Sequence, residues 1–418
     1  MDIHMENIIE VSDTDDAEND PPPNNNGYQP LTAKPKTTMH KRHDNYYCRY
    51  YGPPAIIVVI TLLIFAFYLQ SGSLPFSDNR ISNVFSFAFD ASPPNVSGRP
   101  IILFWTKFFG EDMPYLHDRM EACRNKCFAT DDRRYLSQSA AVIFHIRDFH
   151  EDDLPPHRTP EQLYVFFLME SPPHTLLDLK KPALRDFFNL TWTYRLDSDI
   201  FSALYFDNWA VQSWVDRSKA NEFLQKKLNR SVFFSSNCHT PNHREDYVTE
   251  LEKHFPVDVF GKCGKASCQK GDKQCEQKII AKYKFYLAFE NSNCLDYVTE
   301  KPMRALNFGT VPIVMGGANY SAMFPKNSLI DSGDFKRPAK LAEYLRNLTG
   351  DFEQYQRLFE WRFNSAVTKV PNNFINPADV DMCKLCELLH NRTLIRQTPL
   401  DLSDWWSKKA QCTRWYAE

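Results

Sequence analysis

Residues Phe285 to Gly316, FYLAFENSNCLDYVTEKPMRALNFGTVPIVMG, leave the chain little choice of architecture. FYLAF is a short, mostly apolar run that ends in a polar turn, and it reads as a buried strand. Val298 to Phe308 then reads as a helix and Val311 to Val314 as a second strand. Strand, crossover helix and strand make one βαβ unit, the building block of parallel sheets. Ligands of open parallel sheets sit beyond the carboxyl ends of the strands, so the turn Glu290 to Lys301 lies where one is held. Thr299 is the expected N-cap, which leaves Glu300, Lys301 and Pro302 in a first helical turn with free backbone donors. Such a turn suits a phosphate, and Lys301 adds a full positive charge.

The rest of the downstream chain alternates in the same way. Ile101 to Trp105, Ala141 to Ile146 and Leu163 to Met169 are apolar runs bounded by polar turns, as buried parallel strands are. A helix is expected over Lys219 to Leu228. A second set begins at Val232, with strand VFFSSN, helix Arg244 to His254, strand Val257 to Phe260 and helix Lys273 to Lys282 before the opening unit. Pro338 to Leu348 and Phe352 to Val367 read as further helices, and an aromatic helix is expected around Trp405 and Trp406. The fold class is therefore α/β, and 418 residues have room for two domains plus flanking segments.

The first hundred residues are different. Residues 1–49 are acidic and then rich in Pro and Asn, a composition that cannot bury enough apolar surface to fold alone, and they read as a cytoplasmic disordered tail. No charged residue occurs from Tyr50 to Ser77, and Pro53 to Leu69 is almost wholly apolar. At the helical rise those seventeen residues cover about 25 Å, so 50–71 reads as a single transmembrane signal anchor. Lys34, Lys36, Lys41, Arg42 and Arg49 precede the span and only Arg80 soon follows it, which directs the N-terminus to the cytoplasm and the remainder to the lumen. This type II arrangement suits the Golgi membrane, with 72–98 as a flexible stem. Asn95, Asn189, Asn229, Asn319, Asn347 and Asn391 each begin a glycosylation sequon, all on the lumenal side. Ten of the eleven cysteines also follow the span, an even number suited to disulfides there. Formal charge is −3, with eight acids and no Lys or Arg in residues 1–30, so the remainder is only mildly and diffusely positive. That balance does not suit nucleic acid.

Two further segments carry chemistry. Glu170, in FFLMESPPHT, is a carboxylate at the end of an apolar strand followed by prolines that turn the chain, so it is aimed at the ligand edge, where partial burial makes a better base. Ser235-Ser-Asn-Cys238 ends a strand and leads to a helix beginning at Arg244, whose guanidinium fork can grip two phosphate oxygens. No Asp-x-Asp motif is placed as in metal-dependent transferases, since Asp197-Ser-Asp199 lies in the upstream half, and no His/Cys spacing suggests zinc. No protein-held metal is expected.

FENSNCLDYVTEK, a small-residue helix and VPIVMG together closely resemble the donor-binding signature of the α1,3-fucosyltransferases, glycosyltransferase family 10, and LFEWRF is also similar. The resemblance implies a GT-B fold, two Rossmann-like domains facing across a cleft, here with an acceptor side over 99–230, a GDP-fucose side over 231–375 and a C-terminal disulfide-linked helical segment over 376–418. It implies inverting transfer of L-fucose from GDP-β-L-fucose. Glu170, in an E-[SP]-P motif, would deprotonate the acceptor hydroxyl. Arg244 and Lys301 would bind the diphosphate, Glu300 the ribose hydroxyls, and Asn291 and Tyr297 the nucleotide or the fucose. Ser236, Asn237 and Tyr286 would also serve the donor. No cofactor would be tightly bound, and Mn2+ would at most stimulate. Cys123 and Cys127 would pair with Cys383 and Cys386. SNC, GKCGxxxC and ENSNC look more like the invertebrate and plant core-type members, which directs the fucose to the innermost GlcNAc of glycoprotein N-glycans. His145-Ile-Arg-Asp148 is closer to the Lewis-type members, so LacNAc or LacdiNAc antennae and protein hydroxyls stay open as acceptors. The other class is an inactive lumenal glycan-binding receptor, against which the retention of Glu170, Arg244, Glu300 and Lys301 speaks.

Overall fold

The computed structural model describes residues 98–111, 123–206, 211–265, 268, 272–364, 381–396 and 400–416. The expected tail, the membrane span and all of the stem but Gly98, with Asn95, lie outside the described residues. Among the described residues no helix is long and apolar enough to cross a membrane.

Among the described residues eleven strands pair in two sheets, and every ladder between them is parallel. The upstream sheet holds β1 (Ile101–Phe104), β2 (Phe128–Thr130), β3 (Ser139–His145), β4 (Leu163–Leu168), β5 (Leu190–Thr193) and β6 (Ile200–Phe201) in the order β2-β1-β3-β4-β5-β6. The downstream sheet holds β7 (Leu228–Phe234), β8 (Val257–Phe260), β9 (Tyr283–Phe289), β10 (Val311–Met315) and β11 (Ile330–Asp331) in the order β11-β10-β9-β7-β8. Connections leave β1 and β3 toward opposite edges of the first sheet, and β7 and β9 toward opposite edges of the second. Each sheet therefore has one switch point where neighbouring loops part and leave a crevice.

β1 and β9 are buried along their whole length, which is why they read as unbroken apolar runs. β5 is buried too, but its sequence LTWT hides it, because both threonines are satisfied in place and only then become core residues. Thr191, for example, donates its hydroxyl to Asp199 at 2.9 Å. β2, β6 and β11 are two or three residues long, too short to show a period.

The expected boundary at residue 230 is too late. Trp214, Ala220 and Leu224 already pack into the downstream core, so the helix Arg217–Gln225 belongs to that half. It begins two residues before the expected start, because Asp216 caps it by accepting from Ser218 and Lys219 N–H. The helix expected over Phe352 to Val367 ends at Arg357, and a 3-10 turn, Glu360–Phe363, follows. That turn lets Arg362, only 3% exposed, reach back to the Leu306 and Gln212 carbonyls and lie 4.5 Å from the Trp214 ring.

The C-terminal segment returns to the upstream half. Helix Asp381–His390 puts Met382, Leu385, Leu388 and Leu389 into the first core. Trp405 and Trp406, on a π-helical turn rather than the expected helix, complete it. Trp406 donates to Thr175 Oγ1 at 2.7 Å, and the Arg195 guanidinium lies 4.3 Å from the Trp405 ring while donating to the Trp405 carbonyl.

Five disulfides join Cys123 to Cys383, Cys127 to Cys386, Cys238 to Cys263, Cys268 to Cys275 and Cys294 to Cys412. The first two are the pairs the resemblance implied. Of the described sequons, Asn229, Asn319, Asn347 and Asn391 are exposed. Asn189 is half-buried, with its carboxamide oxygen accepting from Tyr164 N–H at 2.8 Å.

The first two bridges close nearly the same loop, of 260 and 259 residues. Removing one pair as Cys→Ser should therefore cost only about 2 kcal/mol, because the other still closes the long loop, whereas removing both should cost more than about 5 kcal/mol. Denaturant titration of the single-pair and double-pair variants checks this, and equal losses would rule it out.

Candidate active site

The polar turn after β9 is tied around one carboxylate. Glu290 is wholly buried and accepts from Thr299 N–H at 2.8 Å, from the Thr299 hydroxyl at 2.8 and 2.9 Å, and from Lys301 Nζ at 2.7 Å. These bonds pull Val298 and Thr299 out of the expected helix, which runs only from Lys301 to Asn307. Thr299 is thus not the N-cap; Glu300 holds that position without a side-chain cap bond. Asn242 locks the turn from the side, donating to the Glu290 carbonyl at 2.9 Å and to Asn293 Oδ1 at 2.8 Å. Nothing in the pattern around Asn242 marked it.

The last strapping element is the C-terminal tail. Leu295 N–H donates to the Ala410 carbonyl at 2.7 Å, Thr413 N–H to the Asn293 carbonyl at 2.9 Å, and Trp415 N–H to the Asn242 carbonyl at 3.1 Å, with Cys294–Cys412 between them. Gly317 packs so close to the Cys294 backbone that a Cβ there would fall 2.5 Å from its carbonyl oxygen.

Arg244 comes from the loop after β7, across the switch point from that turn. It is 4% exposed and donates to the Phe289 carbonyl at 2.7 Å and to Ser235 Oγ at 3.1 Å. Ser235 is buried, whereas Ser236 and Asn237 lie exposed on the same loop, with the Asn237 carbonyl accepting from Ser235 Oγ at 2.9 Å. Gly261, at φ +90°, lets Ser235 approach where any Cβ would strike its carbonyl. Cys238–Cys263 pins the loop.

Burial alone would depress the Lys301 ammonium, but the carboxylates of Glu290 and Glu300 outweigh it and hold its pKa above the ordinary value. Burial would likewise raise Glu300, but Lys301 and Arg304 hold it low. Burial pulls the Arg244 guanidinium down, against the attraction of Glu290 and Glu245. The Arg244 charge works against the raised Lys301 value, pulling it down more weakly than the two carboxylates push it up.

Glu170 lies two residues beyond β4 of the other sheet and is half-buried. Tyr297 reaches across from the donor turn to give it a hydrogen bond, its hydroxyl 3.3 Å from Glu170 Oε2. Burial drives the Tyr297 phenol well above its ordinary pKa, so it keeps the proton it donates. Ser171 Oγ also donates to Ser292 Oγ at 2.8 Å, and Tyr205 Oη to the Met169 carbonyl at 2.9 Å. The loops after β4 and β9 thus meet. His174, two residues past the first proline, feels the charges of both Glu170 and Arg244. Sequence reasoning did not single it out.

Tyr297, on the turn for which the resemblance implies a donor contact, thus also holds the Glu170 carboxylate. Tyr286 is 1% exposed in a core cluster with Met303 and Leu306 of the helix, where the Arg304 charge acts on its phenol. Asn291 Oδ1, Arg244 Nε, His145 Nε2 and His174 Nε2 are buried with no hydrogen-bond partner among the described residues, and groups of that kind concentrate where ligands bind. His243, before Arg244, and Asp296, before Tyr297, hold left-handed backbone at φ 59° and 61°. Such conformations also gather at ligand sites.

Asp197 and Asp199 are taken up by structural ion pairs, Asp197 to Arg195 at 2.7 Å and Asp199 to Arg396 at 2.7 Å. Cys127, Cys386 and His390 cluster closely enough for a metal, but the two sulfurs are bonded to each other.

Removing the Glu290 carboxylate leaves the Lys301 charge largely desolvated and opens the turn. Glu290→Ala should cost about 3 kcal/mol in a denaturant titration. A loss below about 1 kcal/mol, the worth of an exposed pair, would mean that this pair does not hold the turn.

Comparison with known proteins agrees with this geometry. Residues 224–405 match the family described as glycosyltransferase family 10 (fucosyltransferase) C-term, and residues 97–205 match fucosyltransferase, N-terminal. The chain is 32% identical over 338 residues to alpha-(1,3)-fucosyltransferase C of Drosophila melanogaster, covering 73% of this chain and 77% of that protein. It is 35% identical over 290 residues to glycoprotein 3-alpha-L-fucosyltransferase A of the same organism, covering 67% and 54%. It is 33% identical over 287 residues to GDP-fucose protein O-fucosyltransferase 3 of Canis lupus familiaris, covering 64% and 58%. Two successive family matches, one on each half, and a relative 32% identical over most of both lengths make this chain a member of glycosyltransferase family 10, the fucosyltransferases.

Proposed function

We propose that the chain transfers L-fucose from GDP-β-L-fucose, with inversion, to the 3-hydroxyl of GlcNAc in N-glycans, the innermost GlcNAc being the favoured acceptor. One observation carries this reading: Glu170, a half-buried carboxylate of one half, accepts a hydrogen bond from Tyr297 of the turn that also carries Lys301, and Arg244 donates to the Phe289 carbonyl where that turn begins. A diphosphate is a poor leaving group until its growing negative charge is met. Arg244, Lys301 and the amides of the first helical turn meet it without reorganising. Asn291 and Glu300, on the same turn, serve the nucleotide and the fucose. Glu170, held by Tyr297, takes the proton of the attacking hydroxyl from the opposite side, so a β-linked donor yields an α-fucoside. A GT-B arrangement, a type II signal anchor over 50–71 and a Golgi lumenal catalytic part complete the proposal. It is supported by the likeness to the two Drosophila proteins and by five disulfides, which need an oxidising compartment.

A second reading makes the acceptor a protein hydroxyl, and the 33% identity to a protein O-fucosyltransferase favours it. GDP-fucose offered with a panel of core N-glycans, antennary glycans and folded protein acceptors, read by mass spectrometry, separates the two. Fucose added only to protein would overturn the N-glycan reading.

Glu170→Gln should reduce turnover by roughly 10²- to 10⁴-fold with GDP affinity kept, as expected for loss of a general base. Unchanged turnover removes the assignment. Lys301→Ala should weaken both GDP affinity by calorimetry and turnover, and unaltered affinity would count against a phosphate contact.

A further inference from the structure

The upstream sheet has a switch-point crevice of its own, between the loops that follow β1 and β3. Its contents are unusual. Phe109, on the β1 loop, is 50% exposed and holds left-handed backbone at φ 53°, a conformation that bulky side chains avoid. Asp148, on the β3 loop, holds it there by accepting from Phe109 N–H at 2.7 Å and from Gly110 N–H at 2.9 Å. The same carboxylate accepts from His145 Nδ1 at 2.5 Å, which leaves Nε2 without a partner. The His145 ring, only 2% exposed, lies 4.6 Å from the ring centroids of both Phe108 and Phe109, and Phe108 stacks on Phe167 of β4. A single exposed phenylalanine is ordinary. One kept in a costly backbone conformation, over a bare buried acceptor, at the ligand edge of a sheet, is built for contact.

β3 and β4 are neighbours, so this crevice opens beside Glu170, and His145 feels the Glu170 charge. Of the two substrates the reaction needs, the donor is placed by the downstream loops. We infer that Phe109 is the platform on which a pyranose ring of the acceptor rests, its C–H face against the aromatic face, with Asp148 as the residue that positions the platform. The negative face of an aromatic ring attracts weakly positive C–H groups. Flat contact also leaves the equatorial sugar hydroxyls directed sideways, free to meet polar groups.

The inference rests on the proposed transfer to a sugar. Its test is the separate KM for acceptor and for GDP-fucose, measured on the full chain with the best glycan from the acceptor panel. Phe109→Asn removes the ring yet suits left-handed backbone, so folding is not put at risk. It should raise the acceptor KM roughly tenfold, the worth of one aromatic contact, with the donor KM changed less than about twofold. Phe109→Trp should keep the acceptor KM near that of the parent. If Phe109→Asn leaves the acceptor KM unchanged, or raises both KM values alike, the platform is wrong although the transferase reading stands. If the parent chain fucosylates no sugar at all, the transfer reading itself fails, and the platform with it.

Discussion

A single carboxylate with no access to water decides the shape of the downstream ligand edge. Glu290 could not be buried alone, since an isolated charge in the interior costs far more than a folded domain can supply. It is tolerated because Thr299 and Lys301 bend back to meet it. The bend delivers Lys301 to the first turn of a helix, beside backbone amides that point the same way. Ion pairing, backbone path and anion preference are thus one arrangement. The helix could start neither earlier nor with a better cap without undoing it.

The two sheets use one topological device twice. Each parts its connections at an internal strand pair, and each places a rigidly held loop at that point. Tyr297 and Ser292 on one side meet Glu170 and Ser171 on the other, so the spacing of the two loops is set by short side-chain contacts that cross between sheets. Rigidity of this kind suits electrostatic catalysis, in which donors must be aimed before charge develops.

Much of this was legible from residue order. Unbroken apolar runs such as FYLAF reveal strands buried on both faces, and the polar turns after them mark the ligand edge. Glu170, Arg244, Glu300 and Lys301 could be singled out because their residue types are costly at such places. What stayed hidden depends on distant partners. Glu290 gave no local sign that it would draw Thr299 out of a helix. β5 was masked by threonines whose partners lie eight and five residues on. Asn242, His174 and Phe109 acquire their roles only when loops remote in the chain are brought together. Tyr286 and Tyr297 could be assigned to the donor region, but burial and the direction of the hydroxyl decide what each does there.

The two halves do not own separate stretches of chain. Trp405 and Trp406 close the upstream core, yet a few residues later Cys412 and Trp415 are fastened to the downstream turn that holds the cations. An engineer who grafts the donor side of one relative onto the acceptor side of another cannot cut once in the middle. The upstream part must bring its own tryptophan turn, and the residues just beyond must match the grafted turn. Recombination in this fold therefore needs two junctions, one near residue 211 and one between Ala410 and Cys412.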